Sequence, residues 1–228
     1  MSEFLVISPH VDDEVLGCGG VLDARFHVHY CGVEVFRIVS GEARLDEARA
    51  CARFLGFSWS IGAGNEVNRY RQENLIGQFE ALINEHQPRT LFLPYPSYNQ
   101  DHRAVLDAAL VATRPHDVNH NVHNLLLYEQ VHVSTWPHRD NLVRGLTFHP
   151  NYYVPVDIDR KIEAYRLHAS QVRGMRSPES VTTLARWRGH QSGFSFAEGF
   201  QIIRLKDPLH LQLGLHTRIQ HDARSPEE

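Results

Sequence analysis

Four ionisable side chains crowd one short stretch near the start of the chain, Ser8-Pro9-His10-Val11-Asp12-Asp13-Glu14. Desolvating so many polar groups beside a core strand is unfavourable unless their charge is compensated, and a bound cation would compensate it. A second stretch has the same character, Asn99-Gln100-Asp101-His102-Arg103. Two imidazoles and one carboxylate, from His10, His102 and Asp13, would make a three-ligand Zn2+ site with positions left for water, at bond lengths of about 2.0–2.2 Å. Such an ion lowers the pKa of its water to about 7 and polarises a carbonyl oxygen. Asp12, a neighbouring carboxylate outside the ligand set, is the candidate base for that water. Ligating histidines need acceptors for their second ring nitrogens, and Asp101 and Glu14 are the candidates. Plainer readings stand beside each stretch: His10 as a core histidine, Asp12 or Asp13 as a helix cap, and Asp101-His102-Arg103 as an ordinary tripeptide. The two stretches together favour a site.

The elements that must position these residues alternate along the chain. Phe4-Leu5-Val6-Ile7 has the length and β-branched character of a buried strand, and Val15 to Leu22 reads as a helix packed closely through its glycines. Val33 to Val39 alternates as a second strand. A helix follows from Arg44 to a stop at Gly56, then a short strand at Trp59–Ile61 and a helix carrying Leu75 to Ile83 that ends before Pro88. Thr90 to Pro94 is another buried strand, leading through Tyr95–Asp101 into a helix with Val105, Leu106 and Ala109. Leu125 to Tyr128 is a further core strand. This alternation predicts an α/β, Rossmann-like open sheet, mostly parallel and flanked by helices. Both charged stretches then leave strands at the same carboxyl edge, where such sheets place their sites. The C-terminal third is less regular: an extended segment at Tyr152–Asp157, a helix from Arg160 towards Ser170 capped by Asp159, a helix opened by Ser177 and Pro178 and running towards Arg188, and a closing strand at Phe200–Leu205.

The 228 residues, 42% hydrophobic and 22% charged, suit one domain spanning 1–228, with 220–228 as a polar, flexible tail. A formal net charge of −4 without a basic tract argues against nucleic acid as a partner. Cys18, Cys31 and Cys51 have no CxxC spacing and read as buried thiols in a reducing compartment. No signal peptide or membrane-spanning run is expected, which places the protein in the cytoplasm without integral membrane association. Histidine, at 16 residues, exceeds what one metal site uses. Most are therefore expected at the surface or in loops, among them His116, His120 and His123.

Pro9-His10-Val11-Asp12-Asp13-Glu14 resembles the PHPDDE signature of the PIG-L/LmbE-like, metal-dependent N-acetylglucosaminyl deacetylases. Gly19-Gly20 follows at that family's spacing, Arg44 and Glu47 resemble its R-x-x-E helix start, and Asp101-His102-Arg103 resembles the end of HPDHR. Lys161, Ala164, Ser170 and Gln171 resemble a K-x-x-A helix ending in SQ, and Ala197-Glu198-Gly199-Phe200 a late AExF element. The resemblance implies His10, Asp13 and His102 as metal ligands, with Zn2+ or another divalent transition metal, and Asp12 as general base. It implies contact of Arg44 with substrate or the site's loops, and a structural role for Glu47. Glu14, Asp101 and Arg103 fall around the ligands or the substrate. Val11 stands where the signature has its second proline. Asn99 stands where the second motif has its first His, so an amide that donates a hydrogen bond but delivers no proton is expected to meet the oxyanion.

The implied activity is hydrolysis of an N-acetyl or related acyl group from an amino sugar or glycoconjugate, with metal-bound water as nucleophile and a possible homo-oligomer as the working form. Alternatives on the same fold are an amidase acting on another amide such as a thiol conjugate, a phosphoesterase, and a non-catalytic sugar- or nucleotide-binding protein. Specificity is expected from Asn65–Tyr70, from Tyr95–Tyr98 and from the C-terminal third, with Tyr98, Trp136 and Trp187 as aromatic surfaces for a sugar ring.

Overall fold

The run Phe4–Ser8 forms strand β1, buried along its whole length. A strand without a polar alternation must be covered on both faces, and it is. On one face Phe4 and Val6 pack with helices α1 (Asp13–Cys18) and α2 (Gly41–Leu55). On the other, Leu5 and Ile7 pack with α3 (Gln72–His86) and α4 (Gln100–Ala112). The remaining strands are β2 (Phe26–Tyr30), β3 (Ser58–Ile61), β4 (Thr90–Pro94), β5 (Asn124–Tyr128), β6 (Tyr152–Pro155) and β7 (Ala197–Leu205), and two further helices are α5 (Ile158–Arg166) and α6 (Pro178–Ser192). This computed structural model describes residues 2–33, 39–115, 122–131, 148–208, 211 and 213.

The seven strands among the described residues form one sheet in the order β3-β2-β1-β4-β5-β7-β6. The first five are mutually parallel. β7 then inserts antiparallel between β5 and β6. The expected mostly parallel α/β sheet is therefore present, and its irregular C-terminal third is an antiparallel extension. From β1 the chain builds outward through β2 and β3, then returns to lay β4 on β1's other side. The crevice between the carboxyl ends of β1 and β4 is thus the point where strand order reverses, where ligands bind in open α/β sheets.

Three expectations need correction. The second strand is Phe26–Tyr30, not the segment that begins at Val33, whose residues 34–38 lie outside those described. Phe26, Val28 and Tyr30 face one core, while His27 and His29 occupy the positions an aliphatic would usually fill on the other face. There His27 meets the Ser58 and Ser60 hydroxyls at 2.9 and 2.8 Å and stacks on His86 at 4.0 Å. Second, against the expectation that most histidines lie at the surface or in loops, His27, His29 and His168 are buried. Third, α5 is capped by Asp157, whose carboxylate accepts from the Arg160 amide, so the helix begins before Asp159 and ends at Arg166. His116, His120, Trp136 and the tail at 220–228 lie outside the described residues.

α1 is held close to the sheet as its glycines predict. A Cβ on Gly17 would stand 2.2 Å from the Tyr128 ring, and one on Gly20 would stand 2.4 Å from Val156. The buried Lys161 ammonium donates to the Leu16 carbonyl in the last turn of α1 and to Glu198, and Glu198 accepts from the Gly20 amide at 2.7 Å. A cation at a helix C-terminus offsets the helix dipole. No helix among the described residues is long and apolar enough to cross a membrane. Cys18, Cys31 and Cys51 are buried and unpaired.

Candidate active site

The chain leaves β1 through Pro9–Asp12 and turns into α1 at Asp12, whose φ of 139° lies where L residues are strained. Asp12 is the N-cap by position, but its side chain makes no capping bond. The strain aims the carboxylate elsewhere, onto Arg176, whose Nη1 donates to Oδ2 at 3.0 Å. The backbone amide of Asp12 is held by the Glu14 carboxylate at 3.1 Å. Arg44, wholly buried, donates to the Val11 carbonyl and to Ser170 Oγ, and Glu47 binds the Ser170 amide and hydroxyl. Arg44 and Glu47 therefore brace the loops of the site.

His10, Asp13 and His102 converge, with one potential ligand atom from each lying within 4.8 Å of the others. Asp13 Oδ2 stands between them, 3.2 Å from His10 Nδ1 and 3.3 Å from His102 Nε2. The outward nitrogens are also held. His10 Nε2 lies 3.0 Å from Asp101 Oδ2, which accepts the Asn68 amide as well, and His102 Nδ1 lies 3.3 Å from Ser97 Oγ. Two imidazoles, one carboxylate and an oriented partner behind each ring form the donor set of a divalent transition-metal site. The second oxygen of Glu14 lies 3.1 Å from His168 Nε2. Arg103 donates to the Ser97 carbonyl and braces the loop.

Charge at the site follows from burial and neighbours. Burial alone would raise the Asp13 carboxyl, but His102 and His10 against it hold it well below the usual carboxylate range. Asp12 is pushed up to about 6 by burial and by the Asp13 charge, opposed by Arg176 and Arg44. A dication beside Asp13 would lower it again.

Asn99 is the N-cap of α4, and its Oδ1 accepts the Asp101 amide at 2.9 Å. Asn at such a position is a strong helix start, so the residue that replaces the motif histidine also performs a local structural task. Tyr70 Oη donates to the Pro9 carbonyl at 2.6 Å, which lays the Asn65–Tyr70 segment against the first loop. Trp187 is 58% exposed on α6.

Residues 5–113 match the family model PIG-L, described as GlcNAc-PI de-N-acetylase. That stretch contains His10, Asp12, Asp13, Asn99 and His102. No curated protein matches the chain. Solved structures share the fold over most of the chain. The conserved protein TT1542 from Thermus thermophilus is 24% identical, with a TM-score of 0.72 over 88% of this chain and 94% of that one. The N,N'-diacetylchitobiose deacetylase from Pyrococcus horikoshii is 23% identical, with a TM-score of 0.63 over 88% of this chain and 83% of its own. GalB, the 4-carboxy-2-hydroxymuconate hydratase from Pseudomonas putida, is 21% identical, with a TM-score of 0.67 over 92% of this chain and 100% of that one. A deacetylase and a hydratase on one fold show that the fold does not choose the reaction; the site must.

Three further residues of the candidate site lie outside the motifs read from the sequence. Ser97 behind His102, His168 behind Glu14 and Arg176 on Asp12 are common residue types in loops, and only the fold brings them in.

Proposed function

We propose that the chain is a zinc-dependent hydrolase that removes an N-acetyl or related acyl group from an amino sugar or glycoconjugate. The observation that carries this reading is the convergence of His10, Asp13 and His102 beside Asp12 at the β1/β4 crevice, within the stretch that matches the PIG-L family. His10 Nδ1, Asp13 Oδ2 and His102 Nε2 would hold the metal, which when bound supplies a Lewis acid for the amide oxygen and acidifies a water.

The chain's own residues account for the rest. Asp101 and Ser97 keep the two rings turned towards Asp13. Asp12 takes the proton of the attacking water on its carboxylate and returns it to the leaving amine, a transfer that Asn99 cannot make. With Asn99 Oδ1 committed to the cap, only its NH2 is left to donate to the developing oxyanion. A donor of that kind supplies about 3 kcal/mol. The three buried thiols support a reducing, cytoplasmic setting.

Release of acetate and free amine from a panel of N-acetylated sugars by the zinc-loaded protein tests the reading. Turnover confined to thiol-conjugated amides would move it to the amidase alternative, and sugar binding without any acetate would leave a binding protein.

A further inference from the structure

One charged group at the site breaks the pattern of burial. Side-chain exposure is 6% for His10, 1% for Asp13 and 2% for Asp12, but 26% for Arg176. Arg176 commits one nitrogen, Nη1, to Asp12 Oδ2 at 3.0 Å and, at a long 3.5 Å, to Gln171 Oε1. Among the described residues its Nε and Nη2 meet no acceptor. A guanidinium carries five donors in a planar fork, and the ion pair with Asp12 engages only one of its nitrogens, which leaves Nε and Nη2 for a ligand at the edge of the site.

The fork is also held in place before any ligand arrives. Arg173 and Arg176 bond each other's backbone across a tight turn at 3.3 and 2.9 Å, with Gly174 at φ 51° and Met175 at the exposed apex. Tyr165 Oη donates to the Arg176 carbonyl at 2.7 Å and ties the turn to α5. The second arginine of this turn, Arg173, is exposed. Around the crevice, Asp12, Asp13 and Asp101 would repel a negatively charged ligand. A dication together with Arg176 balances those three carboxylates and lets an anion approach.

Resting on the deacetylase reading above, we infer that Arg176 receives an anionic oxygen group of the substrate, so that the substrate is an acidic N-acylated sugar bearing a phosphate or a carboxylate. Guanidinium forks bind both groups through paired hydrogen bonds. The test is calorimetric binding to the zinc-loaded full chain and to R176Q and R176K. The probes are N-acetylglucosamine, its 1- and 6-phosphates, and N-acetylmuramic acid, with acetate release followed in parallel. The expected result is that at least one charged sugar binds the wild type about 10-fold or more tighter than N-acetylglucosamine, a margin typical of a charge-assisted paired contact. R176Q should bring that ratio close to one at unchanged metal content, and R176K should keep part of it. The phosphate and carboxylate arms tell the two anions apart.

The inference is overturned if no charged sugar is preferred, or if the preference survives in R176Q, which would assign anion binding to the metal alone. It is also overturned if both variants lower kcat equally for neutral and charged sugars with KM unmoved, the mark of a residue that only orients Asp12. A charged-sugar preference that needs Arg176, without acetate from any probe, would sink the deacetylase reading and leave Arg176 as an anion site.

Discussion

Two buried triads of potential ligands share helix α1, His10/Asp13/His102 and Glu14/Cys51/His168, each with its atoms within 4.8 Å. They differ in what surrounds them. The first lies at the carboxyl edge of β1 and β4, and each ring has an oriented partner on its far side. The second is sealed: Glu14 and His168 have no exposed surface, and burial pushes the Cys51 thiol well up, away from the thiolate a metal needs. Glu14 Oε1 and both His168 nitrogens make no hydrogen bond among the described residues. Burial lowers the His168 pKa, but the Glu14 carboxylate beside it outweighs that and holds it raised, so this pair is ionic bracing for the backbone amide of Asp12. Equal donor counts do not make equal sites. Access and outer partners separate a reaction centre from its scaffold.

The largest expected effect lies on the first triad's side. Asp12→Asn should lower turnover by about 10²–10⁴-fold while keeping the metal, since only the proton acceptor is lost. Steady-state kinetics alongside metal analysis reads both. Cys51→Ala, on the other side of the comparison, should leave one bound metal per chain; a second equivalent lost on that substitution would mean that the sealed triad is a metal site after all.

Outside both triads, His27 and His29 contribute to the acid sensitivity of the fold. Burial, together with the charge of His86, holds both at about 4, below their ordinary 6.5. The unfolded chain therefore takes up protons first as pH falls. Stability is full above about 6.5 and drains away towards pH 4, by about 1–3 kcal/mol per histidine. Urea midpoints across that window should slope in the wild type and flatten in a His27→Gln/His29→Gln double variant.

Smaller effects concern the scaffold. Gly17→Ala places a methyl into the Tyr128 ring and should destabilise the fold by about 1–3 kcal/mol, read by urea denaturation. Asn99→Ala removes the α4 cap and should lose about 1 kcal/mol in the same assay. A loss of turnover beyond that would come from its NH2.

The first triad was legible in the sequence because His10, Asp13 and His102 sit in short motifs at strand ends, and the strand–helix alternation put both motifs on one edge. The second strand was not, because His27 and His29 mask its apolar face until Ser58, Ser60 and His86 are seen to satisfy them. Asn99 was legible as a departure from a motif, but its capping role depends on where α4 starts. Arg176 was invisible. An arginine in a Gly- and Ser-containing turn has no pattern, and its meaning comes from the 3.0 Å contact with a residue far away in the chain.

The most direct measurement is a zinc titration of the chelated protein with acetate release from N-acetylated sugars followed at each point. Activity should rise to a plateau at one equivalent in the wild type, Asp12→Asn should bind the same equivalent and stay silent, and His102→Ala should bind none at that concentration. Acetate release from the chelated protein, or full zinc uptake by His102→Ala, would contradict the account.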